Sequence, residues 1–282
     1  MRSVAAALVL IAGLAAVSEA APYRRELRFV PGNGAPARVL SAAQLASACG
    51  AQTITLDDPY YGKRKSFRAC PLAAVIQLGF GQPVAAFADQ TFIFRARDGY
   101  AKPASGWVLG QPGGFLAFAD AERGRGDDAG WEPIDRKQAD PGPFYVVWTG
   151  AEQRDVHRYP WPYQLTAIEL SPVESLFPHI APTGVPAGAP AQVGYAIFRG
   201  DCIACHAING EGGTVGPELN VPRSIVEYRP AEQIKAYIRD PLSFRYTSMP
   251  PHPHLSDAQL DALVAYFTAM KDRKRDPHRS AP

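Results

Sequence analysis

The stretch Cys202-Ile203-Ala204-Cys205-His206 constrains this chain more than any other. Whatever fold surrounds it must bring two thiols, separated by two residues, and the neighbouring imidazole to one site. That order is the attachment pattern of a c-type haem: the thiols reach the two vinyl groups and the histidine supplies a ligand to the iron. Two other readings of Cys-x-x-Cys compete with it. A zinc site needs a second ligand pair at suitable spacing, and the other two cysteines, Cys49 and Cys70, stand far upstream and far from each other. A redox dithiol needs no histidine and usually belongs to a βαβ setting, which this segment lacks.

At 282 residues, 46% hydrophobic and 20% charged, the chain is long enough for two domains with separate cores. Arg2, an apolar run over residues 4–17 and then Ser18-Glu19-Ala20 read as a secretory signal, residues 1–20, cleaved after Ala20. The run is about 14 residues, short of the roughly 20 needed for a spanning helix. No Cys follows the cleavage position to carry a lipid, and no other stretch is apolar enough to cross a membrane. The expectation is a mature protein outside the cytoplasm, periplasmic in a bacterium, that meets membranes only through its partners. Removing Arg2 and Glu19 leaves the balance at +2, which is no footprint for nucleic acid. Residues 273–282 read as a solvated, frayed basic tail, with steering of an acidic partner as the alternative.

Residues 21–171 alternate short strand patterns with turns. Strands are expected around Thr53-Ile54-Thr55-Leu56, over residues 91–96, 115–118 and 144–148, and over residues 163–170. One helix is expected from Pro71 to Leu78, opened by the proline and stopped by Gly79. Residues 122–143, polar and rich in Gly and Asp, read as a surface loop. Asp57-Asp58-Pro59, Phe67-Arg68-Ala69 with Pro71-Leu72, Arg97-Asp98-Gly99-Tyr100 and Gly142-Pro143-Phe144-Tyr145 resemble the later half of the sulfite-oxidase-type molybdopterin domain. That family's metal-ligating Cys belongs to an earlier stretch that has no counterpart here, and Cys70 sits in no matching context. The resemblance therefore implies a related scaffold without the cofactor. Cys49 and Cys70 could form a disulfide in an oxidising compartment or be two separately buried thiols. Tyr159-Pro160-Trp161-Pro162-Tyr163 reads as core or rim packing, with a docking surface as the alternative. Residues 172–190, rich in Pro and Gly, are expected to be a semi-extended linker without regular structure, long enough for the domains to pack or swing.

From residue 192 to 271 the chain resembles class I c-type cytochromes. A helical pattern over residues 192–201 runs into Cys202, a middle helix spans residues 230–239, and Ser256 with Gln259 caps a last helix carrying Leu260, Leu263, Val264 and Phe267. In that family the first and last helices cross. Gly194 would allow the close approach, with Tyr195, Phe198, Tyr266 and Phe267 packed around it. The resemblance makes Met249, in Thr247-Ser248-Met249-Pro250-Pro251, the second axial ligand beside His206, with His252 and His254 as rivals expected to point outward from a proline-rich segment. It also places Pro217, in Gly216-Pro217-Glu218-Leu219, where its carbonyl accepts the His206 ring N–H.

The fold class expected is thus an α+β domain of mostly short strands over residues 21–171, then an all-α class I cytochrome c domain over residues 191–272. One covalent haem c is expected on Cys202 and Cys205, with iron held by His206 and Met249. The function expected is single-electron carriage between a donor dehydrogenase and an acceptor oxidase or cytochrome. The alternative is a self-contained dehydrogenase, similar to a sulfite dehydrogenase, whose first domain binds its own cofactor and reduces the attached haem. A sensor, which would have to release Met249 in one state, is a third class that no feature demands.

Overall fold

The computed structural model describes residues 24–124, 130–134, 138–156, 158–171 and 173–278. The signal segment 1–20 lies outside them. The first domain opens with β1 (Glu26–Pro31), where Leu27 and Phe29 are fully buried and Arg28 between them stays exposed. This is the alternation of a strand with one face on a core. β2 (Arg38–Ser41) leads straight into α1 (Ala42–Ala48), whose start is a capping box: the Ser41 hydroxyl accepts from the Gln44 N–H at 3.2 Å and the Gln44 side chain accepts from the Ser41 N–H at 2.8 Å. Next come β3 (Gln52–Asp58), β4 (Lys63–Pro71) and α2 (Leu72–Phe80), then β5 (Thr91–Ala96), β6 (Ala101–Ser105) and the single turn α3 (Gly106–Leu109). β7 (Gly114–Asp120), β8 (Tyr145–Trp148) and β9 (Leu165–Leu170) complete the domain.

These strands make two sheets, β2-β1-β9-β5-β6 and β3-β4-β7-β8. All pairings are antiparallel except β1 with β9. One large core joins them, and it is strongly aromatic. Phe80 meets Phe29, Phe87 and Phe92 edge to face with centroids 5.5–5.9 Å apart, the geometry ring quadrupoles prefer. Trp148 and Trp161 are fully buried and donate their indole N–H groups to the carbonyls of Pro160 and Gln153 at 2.7 and 2.8 Å, so the 159–163 group packs into the core.

Gly79 does not end α2. A Cβ there would lie 2.0 Å from the Phe29 ring, so glycine is required for helix and strand to touch. The stop comes at Gly81, left-handed at φ 76°, whose N–H caps the Gln77 carbonyl. The described part of 122–143 is more than a surface loop, because Trp131 and Ile134 are buried and Lys65, itself fully buried, gathers Asp120, Glu122 and Glu132 at 2.8–2.9 Å. A buried ammonium requires such partners, and they pin the loop to β4.

Cys49 and Cys70 form a disulfide with Cα atoms 5.5 Å apart, tying the end of α1 to β4 across 21 positions. The Cys70 sulfur is thereby unavailable as a thiolate ligand. A Cys49→Ala/Cys70→Ala protein is expected to lose about 3 kcal/mol, the closure entropy of a loop of this size. A urea denaturation midpoint that falls, with a slope that rises because the uncrosslinked chain exposes more surface on unfolding, is the measurement.

The segment 172–190 is not an unstructured linker. It holds the short helix α4 (Val173–Leu176), and Phe177 and Ile180 are buried in the core of the second domain. Two large apolar side chains within the proline-rich run anchor it to that core. That core also takes in Ile93 and Ala101 from the first domain.

Candidate haem site

The second domain is helical. α5 (Pro190–Ile197) begins with proline in its first turn and passes into a wider π turn, Phe198–Cys202, that delivers the two cysteines. β10 (Ala207–Ile208) and β11 (Glu211–Gly212) form a small hairpin, followed by α6 (Ala231–Arg239) and α7 (Asp257–Lys271). α7 starts at the capping box of Ser256 and Gln259, and its Leu260, Leu263, Tyr266, Phe267 and Met270 are buried. α5 crosses it at Gly194, where a Cβ would stand 2.0 Å from the Ala262 carbonyl oxygen. Tyr195 and Phe198 lie on Tyr266 at 5.7 and 5.4 Å, and Phe198 meets Phe267 at 6.3 Å.

These helices leave a cavity of about 480 Å³, lined by Cys202, Cys205, His206 and Met249 together with apolar side chains such as Leu219, Ile234 and Phe267. The size and lining suit a flat apolar group. Both thiols are free, and burial pushes Cys202 up to about 12 and Cys205 up to about 11. A redox dithiol needs a thiolate near neutral pH, so this environment opposes that reading. Burial also lowers the His206 pKa and favours the neutral ring. His206 Nδ1 lies 2.8 Å from the Pro217 carbonyl oxygen, which can only accept, so the proton resides on Nδ1 and the lone pair on Nε2. Gly216 underlies the ring so closely that a Cβ would come within 2.5–2.9 Å of it. The chemistry of this donor set, two free thiols, a neutral imidazole and a thioether on one cavity, fits a covalently held haem.

His252 departs from the outward orientation expected of it. It is 4% exposed and lines the same cavity as Met249, because its N–H is tied to the Ile238 carbonyl at the end of α6 and Leu255 is buried just beyond. His254 is the outward one, facing Asp201 at 3.4 Å.

The described tail, residues 273–278, is not frayed. The Arg273 guanidinium donates to the Thr183 carbonyl at 2.7 and 3.1 Å, Lys274 pairs with Glu227, and Asn209 donates to the Arg273 carbonyl at 2.9 Å. Basic side chains after a helix end find unsatisfied carbonyls there, and Arg273 also reaches that of Ala269. Residues 279–282 lie outside the described structure.

What the sequence did not indicate is the closeness of the first domain. The hairpin between β5 and β6 carries Asp98-Gly99-Tyr100 onto the cysteine segment. Ala101 N–H donates to the Ala204 carbonyl at 2.9 Å, Thr214 N–H to the Gly99 carbonyl at 3.0 Å, and the Lys102 ammonium to the Gly200 carbonyl at 2.6 Å. Gly99 sits at φ 92°, and a Cβ on it would meet the Thr214 hydroxyl at 2.0 Å. A second cavity of about 440 Å³ lies between the domains, with Tyr60, Tyr100 and Tyr163 from one side and Ala204, Cys205 and Pro250 from the other.

Residues 191–271 match the family model for cytochrome c, and this part of the chain is a class I cytochrome c domain. Such a domain carries covalently attached haem c, one group for a single domain, and its chemistry is electron transfer. Among curated proteins, the chain is similar to cytochrome c oxidase subunit 2 of Alkalihalophilus pseudofirmus, 35% identical over 89 residues, which is 29% of this chain and 26% of that protein. It is also similar to lupanine 17-hydroxylase (cytochrome c) of a Pseudomonas species, 39% identical over 84 residues, or 29% of this chain and 11% of that protein. The chain thus spans about a quarter or less of the length of these relatives.

Proposed function

We propose that this protein is a periplasmic mono-haem electron carrier that moves single electrons between a dehydrogenase and a downstream oxidase or cytochrome. The observation that carries this reading is the convergence of His206 and Met249 on the one cavity that also receives Cys202 and Cys205. Haem c supplies one-electron exchange at its iron, and a thioether ligand favours the ferrous state relative to a second imidazole. Cys202 and Cys205 would hold the porphyrin, and His206 and Met249 would hold its iron. The Pro217 carbonyl stops the imidazole from rotating and Gly216 leaves room for it. The first domain restricts which donor or acceptor can approach the Cys205 side.

With His206 and Met249 both on the iron, no site would be open to carbon monoxide. The reduced protein is expected to give a six-coordinate visible spectrum that carbon monoxide does not alter at neutral pH. Ready formation of an adduct sinks the two-ligand assignment.

The cavity beside Cys205 favours a second reading, in which the first domain holds its own cofactor or substrate and the protein is a self-contained dehydrogenase. The similar lupanine 17-hydroxylase is by its name an enzyme, a hydroxylase whose name also specifies cytochrome c. Elemental analysis separates the two readings where that cofactor is a molybdopterin: stoichiometric molybdenum beside iron supports the enzyme.

A further inference from the structure

The interdomain cavity has a lining of unusual composition. Tyr60, Tyr100, Trp161 and Tyr163 supply four aromatic side chains, with Tyr60 and Tyr163 edge to face at 5.8 Å. Two carboxylates, Asp98 and Asp201, share the wall with the Lys102 ammonium and the His252 ring, and Asp201 also faces His254 at 3.4 Å, which leaves Asp98 as the carboxylate the cavity presents. The Lys102 head is buried and engaged by the Gly200 carbonyl at 2.6 Å. Asp98 lies at the tip of the hairpin, where one oxygen accepts from the Tyr100 N–H at 3.0 Å.

Tyrosine and tryptophan rings offer negative charge density on their faces, and Asp98 adds a carboxylate at the rim, so the lining favours positive charge. An anion is repelled by it, and an uncharged aromatic molecule gains only apolar burial. A cation with an apolar body gains both burial and attraction. We propose that this cavity is a binding site for an organic ammonium ion with an apolar body about the size of one ring. It extends beyond electron carriage, and because Cys205, Pro250 and His252 line both this cavity and the haem cavity, its occupancy is defined in the haem-loaded protein.

The test uses the full-length holoprotein and three probes of matched shape, titrated by calorimetry at mildly acidic pH so that each phenol stays protonated. They are 3-hydroxyphenyltrimethylammonium, its uncharged isostere 3-tert-butylphenol, and the anion 3-hydroxybenzenesulfonate. The ammonium probe is expected to bind about tenfold more tightly than the isostere, the scale of a desolvated cation–π contact. Asp98→Asn, which can still accept the Tyr100 N–H, is expected to weaken the ammonium probe about fivefold and leave the isostere unchanged. Tyr163→Leu is expected to weaken the ammonium probe by a similar factor. Equal affinity for all three probes, preference for the sulfonate, or an Asp98→Asn protein that binds the cation as before overturns the proposal. Binding is read as heat, so a failure here is distinct from a failure of the carrier reading, which the carbon monoxide spectrum judges separately.

Discussion

A Cys202→Ala/Cys205→Ala protein is expected to be recovered without covalent haem and with its second domain largely unfolded. The first result follows from removing both attachment atoms. The second follows from magnitudes. The haem cavity measures about 480 Å³, and unfilled apolar volume costs about 24 cal/mol per Å³, which gives on the order of 10 kcal/mol if the space stays dry. Water would relieve part of that. Even a fraction is comparable with the 5–15 kcal/mol that holds a typical domain together. Haem staining after denaturing electrophoresis checks the attachment, and far-ultraviolet circular dichroism checks the loss of helix. Full helicity in a haem-free protein would show that α5, α6 and α7 pack without the group they surround.

Met249→Ala is the second large effect. The thioethers and His206 should retain the haem, so the protein is expected to stay red and folded. Its reduction potential is expected to fall by on the order of 100 mV, a fraction of the roughly 0.8 V over which axial ligands set haem potentials. Carbon monoxide should then bind. His252 lines the same cavity, and this makes the comparison sharper. His252→Ala is expected to leave the potential nearly unchanged. If the two variants exchange these outcomes in a spectroelectrochemical titration, the ligand is the imidazole and the thioether is packing.

Much of the haem domain was legible because its constraints are local. Cys202, Cys205 and His206 fall within five residues, the Ser256 and Gln259 cap spans four, and the resemblance to class I cytochromes placed Gly194 at the helix crossing. His252 was misjudged because its orientation depends on a bond to Ile238 from another element. In the first domain, β5 was readable to the residue from its apolar run. β1 and β2 were missed: β1 is completed by pairing with the distant β9, and β2 is a four-residue edge strand with no buried side chain to mark it. The start of α1 was readable in principle, since Ser41 and Gln44 carry the same cap signal as Ser256 and Gln259. The burial of Phe177 and Ile180 and the contacts of Arg273 belong to the same class of miss. Proline and basic content describe what a segment prefers alone and say nothing of a neighbouring core.

The interdomain joint is built in part from main-chain atoms: the Ala101 N–H on the Ala204 carbonyl, and the Thr214 N–H on the Gly99 carbonyl. Such bonds survive almost any exchange of side chains, glycine at position 99 excepted. Neither half can therefore be lifted out as an interchangeable cassette, and a homologous cytochrome grafted in its place would inherit the seam only if it kept the backbone path of these loops.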